Sequence, residues 1–253
     1  MNAHGIDVSV LSLGNPQLDF LENGDEAVHV AKRINSELQD LCSQYPARLF
    51  FLGCLPTTAS LPAIHSCIQH LQTLPLHRGV VMGYRGFGNG LDDPSILPLF
   101  HTLADQKLPV LPVSLGFSTE TTMAITRMYL AGIFDSVPGL QLILSHAGGM
   151  LPFSARRIER FVKRKSIWDV LRGNILLDGI VFDKIPLRAA ADAVGVERVM
   201  FGTDHPLFPS LRKEGLYDIC VKNRDAAEAC FGKDASEYEG VMGANAVRIL
   251  NLR

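Results

Sequence analysis

Two side chains able to move a proton stand directly after short apolar runs: a histidine within residues 142–153, LILSHAGGMLPF, and an aspartate within 201–206, FGTDHP. An apolar run broken by a glycine pair reads as a buried strand and the turn after it, here at Gly148 and Gly149. His146 would then sit where a parallel strand ends, the place where α/β proteins put their chemistry. Its imidazole can give or take a proton near neutral pH. Alone, it is equally compatible with a hydrogen-bonded structural histidine. Asp204 follows Gly202-Thr203 and precedes His205-Pro206, a tight strand-to-loop exit that would push its carboxylate into the mouth of the fold, although an aspartate there can also simply cap or shape a loop. The pair is more specific than either half. Other candidates carry less: His65, His70 and His77 form no i, i+4 metal pair, and Gly86, Gly88 and Gly90 lack the Lys-Ser/Thr of a phosphate loop, leaving a mobile loop over a site as the reading.

These residues need a scaffold, and the hydrophobic pattern supplies one. Strands are expected at 8–13, 49–55, 78–83, 108–113, 140–145, 174–180 and 198–202. Helices are expected at 25–45, 61–74, 95–107, 119–134, 149–165 and 186–194, then near Asp225 and at 238–250. Asp93 should cap the third helix ahead of Pro94, while Pro112 is awkward inside a central strand. Strands alternating with helices in one unbroken series mean a parallel sheet. Seven of them without a linker predict one (β/α)8 barrel lacking a strand, with residues 1–253 as a single domain. In such a barrel the strand ends converge on one face, so His146 and Asp204 can approach each other.

The bulk numbers agree with one large core: 253 residues, 47% hydrophobic, formal net charge -2. Near-neutral charge without a basic run excludes a nucleic-acid surface. The basic cluster Arg156, Arg157, Arg160, Lys163, Arg164 and Lys165 reads mainly as a solvated helix face. Five cysteines with no CxxC pair point to reduced thiols rather than a disulfide frame or zinc ribbon, and no run is apolar enough to span a bilayer. A soluble cytoplasmic protein is the expectation.

The motifs SLGNP (12–16), GNGLDDP (88–94), LGFSTETT (115–122), HAGGMLPF (146–153) and FGTDHP (201–206) resemble the metal-dependent decarboxylases of the amidohydrolase-related group. That group includes the aminocarboxymuconate semialdehyde, dihydroxybenzoate and uracil-5-carboxylate (isoorotate) decarboxylases, the last branch being the nearest in these motifs. The resemblance implies an amidohydrolase-type barrel, a bound divalent metal such as zinc, and release of CO2 from an aromatic or heteroaromatic acid by protonation of the ring carbon. It implies that Asp204 is a metal ligand that also handles the proton, and that His146 is an acid/base beside the metal. It further implies that Arg157 holds the substrate's carboxylate or oxo group, while Asn15 and Phe117 line its pocket. Arg157 and Phe117 could instead be helix charge and core packing. A homodimer is also implied.

Two departures stand out. The family's opening His-x-His is absent, as is a His-Pro segment after the strand near 108–110, where LPV runs straight into LPV. The resemblance therefore predicts a chain truncated at its N-terminus, missing the first strand–helix unit, with an internal deletion near 110–112. At Leu207 the nearest branch carries an aromatic residue, which alters the ring-stacking wall. The rival readings are a catalytically dead paralogue that binds small acids or pairs with an intact homologue, and a metal-free hydrolase using His146 with Asp204. The latter lacks a nucleophile elbow.

Overall fold

The structure, a computed structural model, describes residues 1–14, 17–113, 117–206 and 217–252, with the backbone alone described at Val113 and Phe117. They fall into two compact units: Val8–Leu142, and Ile143–Arg253 together with Met1–Asp7. Among the described residues no helix is long and apolar enough to cross a membrane.

The Val8–Leu142 unit alternates β1 (Ser9–Leu11), α1 (Gly24–Ser43), β2 (Leu49–Cys54), α2 (Leu61–Gln72), β3 (His77–Gly83), α3 (Leu97–Asp105), β4 (Val110–Val113), α4 (Phe117–Ala131) and α5 (Ile133–Ser136). It ends on the first residue of β5 (Leu142–Leu144). Its strands pair in parallel, Val10 opposite Phe50, Val81 opposite Leu111 and Val110 opposite Leu142. Asn23 starts α1 by accepting the Asp25 and Glu26 N–H groups. The helix buries Ala27, Ala31, Asn35 and Cys42 at helical spacing. Asn35 fastens it to the end of β2, donating to the Cys54 carbonyl at 3.1 Å and accepting the Cys54 N–H at 2.9 Å. Helix α2 lies so close to β2 that a Cβ on Gly53 would clash with the Leu71 side chain.

Asp93 caps the short turn Pro94–Ile96 ahead of α3, as its sequence predicts, accepting the Ser95 N–H at 2.8 Å. Pro112 does lie inside β4, opposite Met82. The Val110 N–H bonds the Gln141 carbonyl on the β5 side, so Pro112, two residues on, directs its missing N–H the same way. There the described pairing stops at Leu142, and no ladder bond is lost. The glycine loop expected to be mobile is tied down: Gly88 and Gly90 donate to the Arg85 carbonyl, and Arg127 bonds both Asp92 and the Asn89 carbonyl. The single helix expected at 119–134 divides at Gly132, whose φ of 79 ends α4.

The other unit continues through β5, α6 (Leu151–Glu159), α7 (Ile167–Asn174), β6 (Ile175–Asp178), α8 (Lys184–Val194), β7 (Val199–Met200), α9 (Asp218–Phe231), α10 (Ser236–Glu239) and α11 (Asn245–Ile249). The order β5-β6-β7 follows the sequence, and Leu177 pairs with Val199 in parallel. The helix expected at 149–165 stops at Glu159. A second helix, α7, follows; Ser166 caps it and Ile167, Val170 and Leu171 are buried. Glu159 bridges the break by accepting from Ser166 Oγ at 2.7 Å and the Ile167 N–H at 3.1 Å. The core here includes Leu144, Ala155, Ile175, Leu177, Leu187, Ala190 and Val199, all at 1% exposure or less. Residues Gly240–Ala244 make one wide turn that carries α10 into α11, where Asn245 donates to the carbonyls of Val196 and Val199 and holds the start of β7.

Candidate active site

Three ionisable residues stand at the exits of β5, β6 and β7. His146 follows β5 in the left-handed region, with φ 53, and begins a run of positive φ through Ala147 (52), Gly148 (74) and Gly149 (64). Asp204 leaves β7 with the same left-handed φ of 53. Non-glycine residues rarely adopt this conformation, and it tends to appear where function fixes a side chain. Both residues are half-buried. Burial pushes the Asp204 carboxyl above its ordinary range, while the nearby His146 draws it back down. His146 and Asp204 thus both stand after strands of the same parallel sheet, β5 and β7.

Asp178, the last residue of β6, is the third member, and the sequence reading passed over it. Its carboxyl is pushed up to about 6 by burial, against the opposing pull of His146 and of N–H bonds from residues 180, 147 and 146. The signal was available: Asp178 closes an apolar run as His146 and Asp204 do. Two further residues went unnoticed. Gly202 lets the exits of β6 and β7 approach, since a Cβ there would meet Ile180 Cγ1 at 2.7 Å and Asp178 Cβ at 3.2 Å. Buried Asn223, on α9, accepts the Phe182 N–H at 3.0 Å and donates to the Gly202 carbonyl at 3.3 Å, joining the loop after β6 to the strand exit that carries Asp204.

Arg157 is exposed in the last turn of α6, away from the stripe Leu151, Ala155 and Ile158 that the helix buries. No contact between it and His146 or Asp204 is found among the described residues. Asn15 and Leu207 lie outside the described residues, and Phe117 opens α4 with its side chain likewise outside them. His205 turns to Tyr217, edge-on at 4.2 Å, and the Tyr217 N–H donates to His4 Nε2 at 3.2 Å.

A three-ligand metal centre needs roughly three His, Cys, Asp or Glu side chains around one point. Among the described residues no group of three or more could hold a metal ion. The donor set seen here therefore does not fit a metal centre of that kind, although each carboxylate is chemically able to serve as one ligand.

Comparison with known proteins gives this geometry a family. The crystal structure of the apo IDCase of Metarhizium anisopliae superposes with a TM-score of 0.95 at 39% identity, covering 100% of this chain and 77% of that one. A 2-amino-3-carboxymuconate-6-semialdehyde decarboxylase of Dictyostelium discoideum is 29% identical over 95% of this chain and 75% of its own length. A 5-carboxyvanillate decarboxylase of Novosphingobium aromaticivorans, solved with bound manganese and a nitrobenzoic acid, shares the fold at a TM-score of 0.80 and 25% identity, covering 99% of this chain and 79% of that one. The fold is thus that of these (β/α) barrels, with seven of the strands among the described residues. The amidohydrolase family profile matches residues 11–252, and the chain belongs to the amidohydrolase family.

Proposed function

We propose that the chain is a carboxy-lyase that removes CO2 without oxidation from an aromatic or heteroaromatic acid of the uracil-5-carboxylate or ortho-hydroxybenzoate type. The observation that supports this reading is that His146 and Asp204 both follow strands of one parallel sheet, β5 and β7, in left-handed conformation. Direct loss of CO2 would leave a high-energy ring carbanion, so a proton must reach the ring carbon first. His146 as imidazolium gives its proton to the carbon bearing the carboxylate. The C–C bond then breaks, its electron pair restores the ring, and CO2 leaves. Asp204 is the second proton-transfer group, whose carboxyl can pass a proton from solvent back to His146. The relatives named above support the substrate class, and the IDCase supports the uracil-5-carboxylate end of it.

Arg157, Asn15 and Phe117 stay in this proposal as substrate contacts, on the resemblance alone. So do zinc, the single domain over 1–253 and the homodimer. Five free cysteines support a cytoplasmic, reducing setting. No step above is routed through a metal. The test is release of labelled CO2 from carboxyl-labelled uracil-5-carboxylate and 2,6-dihydroxybenzoate. The purified chain should release CO2 from at least one of them, and His146→Gln and Asp204→Asn should each lower kcat by about 10²-fold or more. Full activity in both variants would remove the assigned roles.

A further inference from the structure

Backbone N–H groups converge on the carboxylate that ends β6. Ile180 donates to Asp178 Oδ1 at 3.1 Å and Ala147 donates to the same oxygen at 3.4 Å. The His146 N–H is directed at this carboxylate as well. The donors at 146 and 147 belong to the left-handed run after β5, where two successive residues with side chains hold φ 53 and 52. Such positions are strained for residues with side chains and persist only when their surroundings hold them. The turn's own bonds, Gly148 N–H to the Ser145 carbonyl and Gly149 N–H to the His146 carbonyl, close its far side only. The near side is held from the neighbouring strand by Asp178. An ionised acceptor is the strongest kind of anchor for such N–H groups.

We propose that Asp178 is the positioning residue of the site: it clamps the left-handed His146–Ala147 turn and so sets the direction in which the His146 side chain leaves the backbone. The inference deepens the proposed function and rests on it for the acid role of His146. Asp178 acts through His146, not on the substrate. Its contribution is alignment, and a misplacement of about 1 Å at a reacting group can cost about 10²-fold in rate. Gly202 completes the device, because a side chain there would press on Asp178 Cβ.

Asp178→Asn keeps an oxygen that can accept the same N–H groups, and Asp178→Ala removes it. NMR of the ¹⁵N-labelled chain without substrate reads the Ala147 amide and the His146 ring, the latter assigned with His146→Gln. In Asp178→Ala the Ala147 amide should shift and the His146 ring signals broaden or split, while Asp178→Asn should give one sharp set as in the parent. Thermal unfolding run in parallel establishes that each variant is folded. If the alanine variant does not fold, Asp178→Glu, which displaces the acceptor by one methylene, should disturb the ring signals in the same way. Ring signals left sharp and unmoved in a folded alanine or glutamate variant would overturn the proposal, as would failure of asparagine to restore them. In the CO2 assay Asp178→Ala should lower kcat by about 10²-fold with KM little changed. A parent chain that releases no CO2 defeats the proposed function but leaves the ring measurement to decide the positioning role.

Discussion

His77 shows how a single buried nitrogen sets a pH dependence. Its Nδ1 lies 3.0 Å from the Leu74 carbonyl, which can only accept, so Nδ1 carries the proton and Nε2 is left bare. Nε2 is buried with no hydrogen-bond partner among the described residues. Burial pulls the imidazole's pKa below the ordinary 6.5 of a histidine, against a smaller raising effect of the Leu74 bond. The unfolded chain therefore binds a proton near 6.5 that the folded chain refuses, and stability is lost as pH falls below that value. His4, lowered first by burial, adds to the slope with the same sign. Replacement His77→Gln should flatten the dependence of unfolding free energy on pH between about 5 and 7. Chemical denaturation across that range checks it, and an unchanged slope would mean that Nε2 is satisfied in solution.

At the scale of the element, β7 is only two residues long, and buried asparagines hold it at both ends. Asn245 takes the carbonyls of Val196 and Val199 at its start, and Asn223 takes the Gly202 carbonyl beyond its end. Each alanine replacement leaves buried or partly buried backbone groups without these bonds, and each should destabilise by about 1–3 kcal/mol, with Asn245→Ala at the larger end. Only Asn223→Ala frees the exit that carries Asp204, so only it should depress CO2 release from the folded protein. Thermal melts with the CO2 assay separate the two, and equal activity losses would show that strand stability alone governs the site. This also explains what the sequence made legible. Period and caps located β1 to β7 and α1 to α4, because apolar spacing and the Asp93–Pro94 signal are local. The break at Glu159 was hidden, since six basic residues made 149–165 look like one solvated helix while Ser166 starts a new one. Asn223 carries no local pattern, because its partners at 182 and 202 come from other elements, whereas Asp178 closes an apolar run as legibly as His146 follows one.

For the whole molecule, the sharpest question is what the donor set can retain. Asp204 follows β7 in left-handed conformation, yet the described residues gather no group of three His, Cys, Asp or Glu side chains that could hold an ion. One carboxylate with a single neighbouring imidazole holds a divalent cation weakly, whereas a catalytic centre with about three protein ligands retains it through purification. The purified chain, loaded with zinc or manganese and passed through gel filtration, should accordingly keep well under one ion per chain by elemental analysis. Asp204→Asn should lower even that residue, and added metal should raise CO2 release only in the presence of excess free ion, with a linear rather than saturating dependence at low concentration. Retention of one ion per chain, abolished by Asp204→Asn, would show instead that Asp204 works within a ligand set completed from elsewhere. A second copy of the chain would be the first source to test, by repeating the loading across a dilution series and following the oligomeric state alongside the metal.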